Sequence, residues 1–400
     1  MHEQGFHDIY SYLDGLRARD LYRSRRTLDS PQGREVVVDG RPLLNFCSND
    51  YLGLASDPRV CDAFKAAVDR WGTGAGASHL VCGHTAAHEA LETALAEFTG
   101  RPRALLYSSG YAANVGVINA LLSVGDCVFE DRLNHASLLD GGWISRATFT
   151  WFDHLDTVHL ERRLDAVGDA NGRRLIVSDG TFSMDGDQCR LDATIDVATR
   201  HRAWIMIDDA HGIGVHGRQG VGLVDPHRYS TDDVPVLIGT FGKAFGTSGA
   251  FVAGDEGLIE TLIQRSRNYI YTTAMPSALA AATLASLEIA RAEEWRREHL
   301  ARLIDRFRTG ASTLGFRVMP SMSPIQPLLA GDPARGLAMS RALEERGCLI
   351  ATIRPPTVPE GTSRLRITLT AAHEVSDIDH LLDALASITS RPEPRGSDAA

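Results

Sequence analysis

Seven short apolar runs punctuate the chain, at 104–108, 126–130, 147–152, 174–179, 203–208, 235–240 and 249–253, and each reads as a strand. Helical stretches between most of them imply crossover connections, hence a mainly parallel sheet in an α/β fold. One such stretch ends at Gly100, with Leu91, Leu95 and Phe98 sharing a face as plain core. Residues 1–26 form a polar, arginine-rich lead. From about Ser277 to Thr313 a long helical region rich in Ala, Arg and Glu is expected to join the large domain to a smaller C-terminal α/β domain. The last helix is marked by Ser376 as its cap and by Ile378, Leu381, Leu382 and Leu385 on one stripe. The expected divisions are an N-terminal segment 1–45, a large domain 46–285, a small domain 286–390 and a disordered tail 391–400 that begins Arg391-Pro392-Glu393-Pro394. There is no internal repeat.

Composition narrows the function classes. With 400 residues, 44% hydrophobic and 23% charged, the chain can bury a sizeable core across two or three domains. A net charge of −10 disfavours a nucleic-acid surface. Cys47, Cys61, Cys82, Cys127, Cys189 and Cys348 form no C-x-x-C pair and no metal spacing, so they read as reduced packing residues in the cytoplasm. His84 and His88 lie four apart, but no H-E-x-x-H occurs, and no metal is expected. Met1-His2-Glu3-Gln4 does not open a basic and apolar signal, and the apolar stretch from Ala274 carries Pro276, Ser277 and Glu288, too polar for a membrane span.

Two segments carry the chemistry. Lys243 sits in Gly239-Thr240-Phe241-Gly242-Lys243-Ala244-Phe245-Gly246, and the apolar run Trp204-Ile205-Met206-Ile207 ends in Asp208-Asp209-Ala210-His211-Gly212. A P-loop would need Gly where Leu237 stands and Ser or Thr where Ala244 stands. No Gly-x-Gly-x-x-Gly opens a helix after the first strand, which removes most of the case for a nicotinamide site. What remains is an imine-forming lysine with a carboxylate and an imidazole three residues apart at a strand end. That set suits pyridoxal phosphate (PLP), whose ring nitrogen stays protonated beside an anion, here Asp208, while His211 meets the phenolic oxygen. Ser108-Ser109-Gly110-Tyr111-Ala112-Ala113-Asn114 turns a strand into a helix whose free N–H groups would face a phosphate.

Five segments then resemble, in order, the motifs of the α-oxoamine synthases, fold-type I enzymes that condense an amino acid with an acyl thioester. They are Ser48-Asn49-Asp50-Tyr51-Leu52-Gly53-Leu54, Asp131-Arg132-Leu133-Asn134-His135-Ala136-Ser137, Asp179-Gly180-Thr181-Phe182-Ser183-Met184-Asp185-Gly186, Asp208 to Gly212, and Gly239 to Lys243. The likeness covers roughly residues 10 to 388. It implies that His135 stacks on the pyridine face, that Ser183 and His211 contact the phenolic side, and that Gly110, Tyr111 and Thr240 hold the phosphate. Asn49 resembles a residue near the site, and Asp179 stands where the family often has the longer Glu. Thr272 and Thr273, in Tyr271-Thr272-Thr273-Ala274-Met275-Pro276, resemble the loop that reaches the neighbouring subunit's phosphate, which implies a homodimer. Gly76-Ala77-Ser78-His79-Leu80-Val81-Cys82-Gly83-His84 and Ile353-Arg354-Pro355-Pro356-Thr357-Val358-Pro359 resemble the branch that joins L-alanine to a pimeloyl thioester of coenzyme A or acyl carrier protein. In that branch Arg354 and Thr357 would meet the substrate and Arg23 the far carboxylate of the acyl chain. Family members that act on glycine carry a Thr-Arg-Asn type segment where this chain has Ser78-His79-Leu80. Two other readings stay open: a different PLP enzyme such as an aminotransferase or lyase, and a non-catalytic protein that kept the fold.

Overall fold

The computed structural model describes residues 7–168 and 172–389. The tail expected at 391–400 lies outside the described residues. Two compact units divide the chain, one formed by 49–183 with 187–298 and the other by the described residues of 1–48, 184–186 and 299–400.

The first unit holds a seven-stranded sheet. Its strands are β1 (Arg103–Tyr107), β2 (Cys127–Asp131), β3 (Thr148–Phe152), β4 (Arg174–Asp179), β5 (Trp204–Asp208), β6 (Val236–Thr240) and β7 (Ala250–Gly254). All seven apolar runs are therefore strands of one sheet. The spatial order is β1-β7-β6-β5-β4-β2-β3, with β7 antiparallel to both neighbours and the remaining pairs parallel. Successive side chains pack on opposite faces. Val177, Met206 and Ile238 join one core cluster, while Ile176, Ile207 and Leu237 join the other. A strand covered on both sides has no polar face, which is why the runs read as continuously apolar. Each fully buried Ile or Leu stabilises the unit by roughly 1.5–3 kcal/mol.

The helical region expected from Ser277 to Thr313 consists of two helices, Ser277–Ala292 and Glu294–Thr313. Glu293 breaks the run with φ −99° and ψ 69°. Its carboxylate accepts from Arg59 Nη1 at 2.6 Å and Arg296 Nε at 2.7 Å, so the break is held by ions that pattern alone does not display. Arg296 also donates to the Leu52 carbonyl at 2.6 Å and meets Asp57 at 3.1 Å.

The second unit contains an antiparallel sheet of Ile325–Gly331, Ser363–Thr368 and Ala351–Ile353. A separate hairpin of Glu35–Val38 and Arg41–Asn45 turns at Asp39 and Gly40, both at positive φ. The arginine-rich lead carries the helix His7–Ala18. The last helix, Val375–Thr389, buries Ile378, Leu381 and Leu385 as expected, but Ser376 lies inside its first turn and not at the cap. Glu374 ends the preceding chain, and its N–H donates to Asp377 Oδ2 at 2.8 Å.

Candidate active site

The carboxyl ends of β1, β2, β4, β5 and β6 lie along one edge of the sheet, because β7 alone runs the other way. That edge collects the residues predicted at strand ends, as open α/β sheets do with their ligands. Ser109 follows β1, His135 follows β2, Asp179 and Asp208 end β4 and β5 as direct partners, and Lys243 follows β6.

Ser109 caps the helix Gly110–Leu121, its hydroxyl accepting from the Ala112 N–H. The N–H groups of Gly110 and Tyr111 belong to the first turn and need a partner outside the helix. A Cβ at Gly110 would meet no atom within 4 Å, so the helix opens onto free space, as an anion-binding terminus requires. The Tyr111 ring is exposed, and its hydroxyl donates to Asp140.

Asp208 is 5% exposed. Its Oδ1 accepts from the Ala210 N–H at 3.0 Å and its Oδ2 from Asn114 Nδ2 at 2.6 Å. The same Asn114 nitrogen lies 2.8 Å from Ser137 Oγ, which is 2.7 Å from His135 Nδ1. The Ser137 N–H points to that Nδ1 as well. An Nδ1 that accepts leaves the imidazole proton on Nε2. The outer side of His135 is open to solvent, yet desolvation of the ring and the nearby Lys243 charge lower its pKa, against the pull of Asp208 and Asp140. The ring is therefore neutral near pH 7.

Asp179 accepts the His135 N–H at 2.6 Å. Complete burial, and then the charge of Asp208 on the next strand, raise its carboxyl well above the usual range. His211 is buried, with Nδ1 2.6 Å from the Tyr51 hydroxyl, which also lies 3.3 Å from Asn49 Oδ1. Lys243 is half-buried on a loop tied by Thr247 N–H to Phe241 O and by Gly246 N–H to Lys243 O, both at 2.9 Å. Gly246 has φ +63°, and a Cβ there would stand 2.3 Å from the Ala55 nitrogen, so the turn requires glycine. Thr240 directs its hydroxyl to the Gly249 carbonyl at 3.0 Å. Ser183 sits half-buried on a hairpin after β4. Thr273 bridges to Ser78, in an exposed stretch with Tyr271 71% open.

Asn114, Ser137 and Tyr51 are site residues that sequence reasoning left without a role. Each stood inside a quoted motif, yet lone amide and hydroxyl side chains carry no signature of their own. His88, weighed as a metal ligand, directs Nε2 to the Met275 carbonyl at 2.7 Å and Nδ1 to the Thr85 N–H at 3.0 Å. In the second unit, Arg23 Nη2 lies 3.2 Å from Thr357 Oγ1, and Arg354 donates to the carbonyls of Asp20 and Tyr22. Burial, and then the Arg23 charge, lower the pKa of Arg354. The three residues expected to meet substrate thus cluster together.

The chain matches the family described as aminotransferase class I and II over residues 41–385. It is 57% identical over 392 residues to the 8-amino-7-oxononanoate synthase of a Pseudomonas putida strain, covering 98% of this chain and 99% of that one. Among solved structures it resembles a serine palmitoyltransferase from S. paucimobilis with PLP bound, with a TM-score of 0.90, 27% identity, and coverage of 97% of this chain and 98% of that one. It also resembles an 8-amino-7-oxononanoate synthase from Francisella tularensis, with a TM-score of 0.75, 28% identity, and coverage of 87% and 98%. The chain belongs to the class I and II aminotransferase family, a family of PLP enzymes of fold type I. Among the described residues, no helix is long and apolar enough to cross a membrane.

Proposed function

We propose that this protein acts as an 8-amino-7-oxononanoate synthase in biotin formation, condensing L-alanine with a pimeloyl thioester of coenzyme A or acyl carrier protein. The observation that carries the reading is the sheet edge that assembles Lys243, Asp208, His135 and His211, in a chain closely alike to synthases of that name along nearly its whole length. The residues fit PLP: a helix start open to an anion, a buried carboxylate, and a lysine on a loop between buried aromatic residues.

PLP, when bound, supplies an electron sink that lets the alanine Cα carry negative charge. Lys243 anchors that group and its amine takes the Cα proton. Cα then bonds to the acyl carbonyl carbon, the carbon–sulfur bond breaks, and the sulfur leaves as thiolate to be protonated. The alanine carboxylate departs as carbon dioxide, and a proton returns to Cα. Asp208, oriented by Asn114, holds a proton on the pyridine nitrogen. A neutral His135 presents its ring face and its Nε2–H without adding a charge that would repel that proton. Gly110, Tyr111 and Thr240 would hold the phosphate. Ser183 and His211 meet the phenolic oxygen, and Tyr51 sets the tilt of His211. Thr272 and Thr273 serve the neighbouring site of a homodimer, and the protein works in the cytoplasm. Arg354 binds the substrate carboxylate, Thr357 lies by the substrate, and Arg23 meets the far carboxylate of the acyl chain, which is costly to bury without a cation.

Purified protein given L-alanine and a pimeloyl thioester is expected to release thiol and carbon dioxide and to form 8-amino-7-oxononanoate, identified by mass. Amino-group transfer with the thioester left intact would overturn the reading. In competition, L-alanine should outrun glycine and serine by a modest margin, since one methyl group is worth only about 1–3 kcal/mol. Arg23→Ala should lower activity with the pimeloyl thioester relative to an uncharged acyl thioester of equal length. An unchanged ratio would return Arg23 to a solvated role.

A further inference from the structure

Asp131 closes β2 and His154 follows β3, and their side chains meet. His154 Nδ1 lies 3.0 and 3.1 Å from the two oxygens of Asp131, and its Nε2 lies 3.0 Å from Asp187 Oδ2. Asp131 is 1% exposed. Its Oδ1 also accepts the Leu133 N–H at 2.9 Å and its Oδ2 the Leu155 N–H at 2.8 Å, so this carboxylate fixes the turn that delivers His135. Asp187 stands on the returning arm of the hairpin that carries Ser183. There the Phe182 N–H donates to the Asp187 carbonyl at 2.9 Å, and Thr181 bridges Gln188. The Phe182 ring meets the His154 ring edge-on, with centroids 4.5 Å apart.

Burial opposes a charge on His154, but the two carboxylates outweigh it and push its pKa up to about 9. At neutral pH both ring nitrogens carry protons, and each is aimed at a carboxylate. Such a triad adds little net stability over an apolar group of the same shape. What it adds is direction, since a rigid ring with two charge-assisted bonds holds its partners at a set spacing.

The geometry points to His154 as a positioning residue for the cofactor: through Asp131 and Asp187 it sets the spacing between the turn that carries His135 and the hairpin that carries Ser183. The inference rests on the PLP reading of the site, with His135 and Ser183 on the cofactor. PLP is achiral, and its visible circular dichroism arises only from the way the protein holds it. That signal needs neither amino acid nor thioester, so it is independent of which reaction the enzyme performs.

His154→Gln cannot be a cation and does not present donors on two sides of a rigid ring. The variant is expected to keep its far-ultraviolet spectrum, to lose visible circular dichroism per bound PLP, and to lose kcat on the order of 10²-fold, the cost of a small misplacement, with KM for L-alanine unchanged. Asp187→Asn, which keeps the Asp131–His154 pair, should move the same signals in the same direction and decides the matter if His154→Gln does not fold. Wild-type circular dichroism and kcat per bound PLP in a folded variant, even with a lower Tm, would reduce the triad to a stability element and overturn the inference.

Discussion

Lys243→Ala is expected to leave a folded protein that does not turn over, with activity down on the order of 10³-fold or more, since loss of an acid–base group alone costs about 10²–10⁴. The loop should survive because backbone bonds and buried rings beside the lysine hold it. Gly246 N–H binds a backbone carbonyl, Phe241 and Phe245 are fully buried, and Ser286 Oγ donates to the Phe245 carbonyl at 2.6 Å. The visible absorbance that marks PLP joined to a lysine should vanish with activity, while the melting temperature should move little. A Lys243→Ala protein that still formed product would end the proposed mechanism.

Asp208→Asn should lower turnover by about 10²–10³-fold, the scale on which preorganised electrostatic groups act. The substitution keeps the shape but turns one oxygen into a donor. Both oxygens of Asp208 accept, from the Ala210 N–H and from Asn114, so the new amide must face a donor with a donor. That mismatch should cost roughly 1–3 kcal/mol of stability, read as a lower denaturant midpoint. The chemical effect is separable from the stability effect. Exchange of the L-alanine Cα proton with deuterated water, followed by NMR at a temperature where both proteins are folded, should slow sharply in the variant. Exchange at the wild-type rate would mean that the ring nitrogen has a partner other than Asp208.

The sheet was legible because its central strands are buried on both faces, so that Leu175 to Val177 and Ile205 to Ile207 leave no polar position to blur the run, although the edge strand β3 is half-exposed. Their directions were not, since β7 is as apolar as its parallel neighbours and nothing in its residues marks reversal. The hairpin at Asp39 and Gly40 had a clear signal, an Asp-Gly pair between apolar stretches, that was absorbed into the N-terminal segment 1–45. Ser363–Thr368 was illegible for the opposite reason: Arg364 and Arg366 are buried on one face while Leu365 and Ile367 fill the other. At the site, Lys243, Asp208 and His211 were legible because unusual chemistry at strand ends stands out. The residues that orient them were not, because Asn114 and Tyr51 act through distances that only folding creates.

The reversed strand has a consequence for how the enzyme comes into being on the ribosome. β1 and β6 are not neighbours; both pair with β7, Tyr107 and Thr240 meeting at the same residue, Ala250. Until that late segment has emerged, the helix start after β1 and the lysine loop after β6 belong to separate pieces of an unfinished sheet. Such non-local closure is slow and leaves edges open in the meantime. The proposed cofactor edge thus waits on the last strand of this sheet, and a nascent chain stalled before Ala250 would hold every residue of the lysine loop's approach without the sheet edge in which to use it.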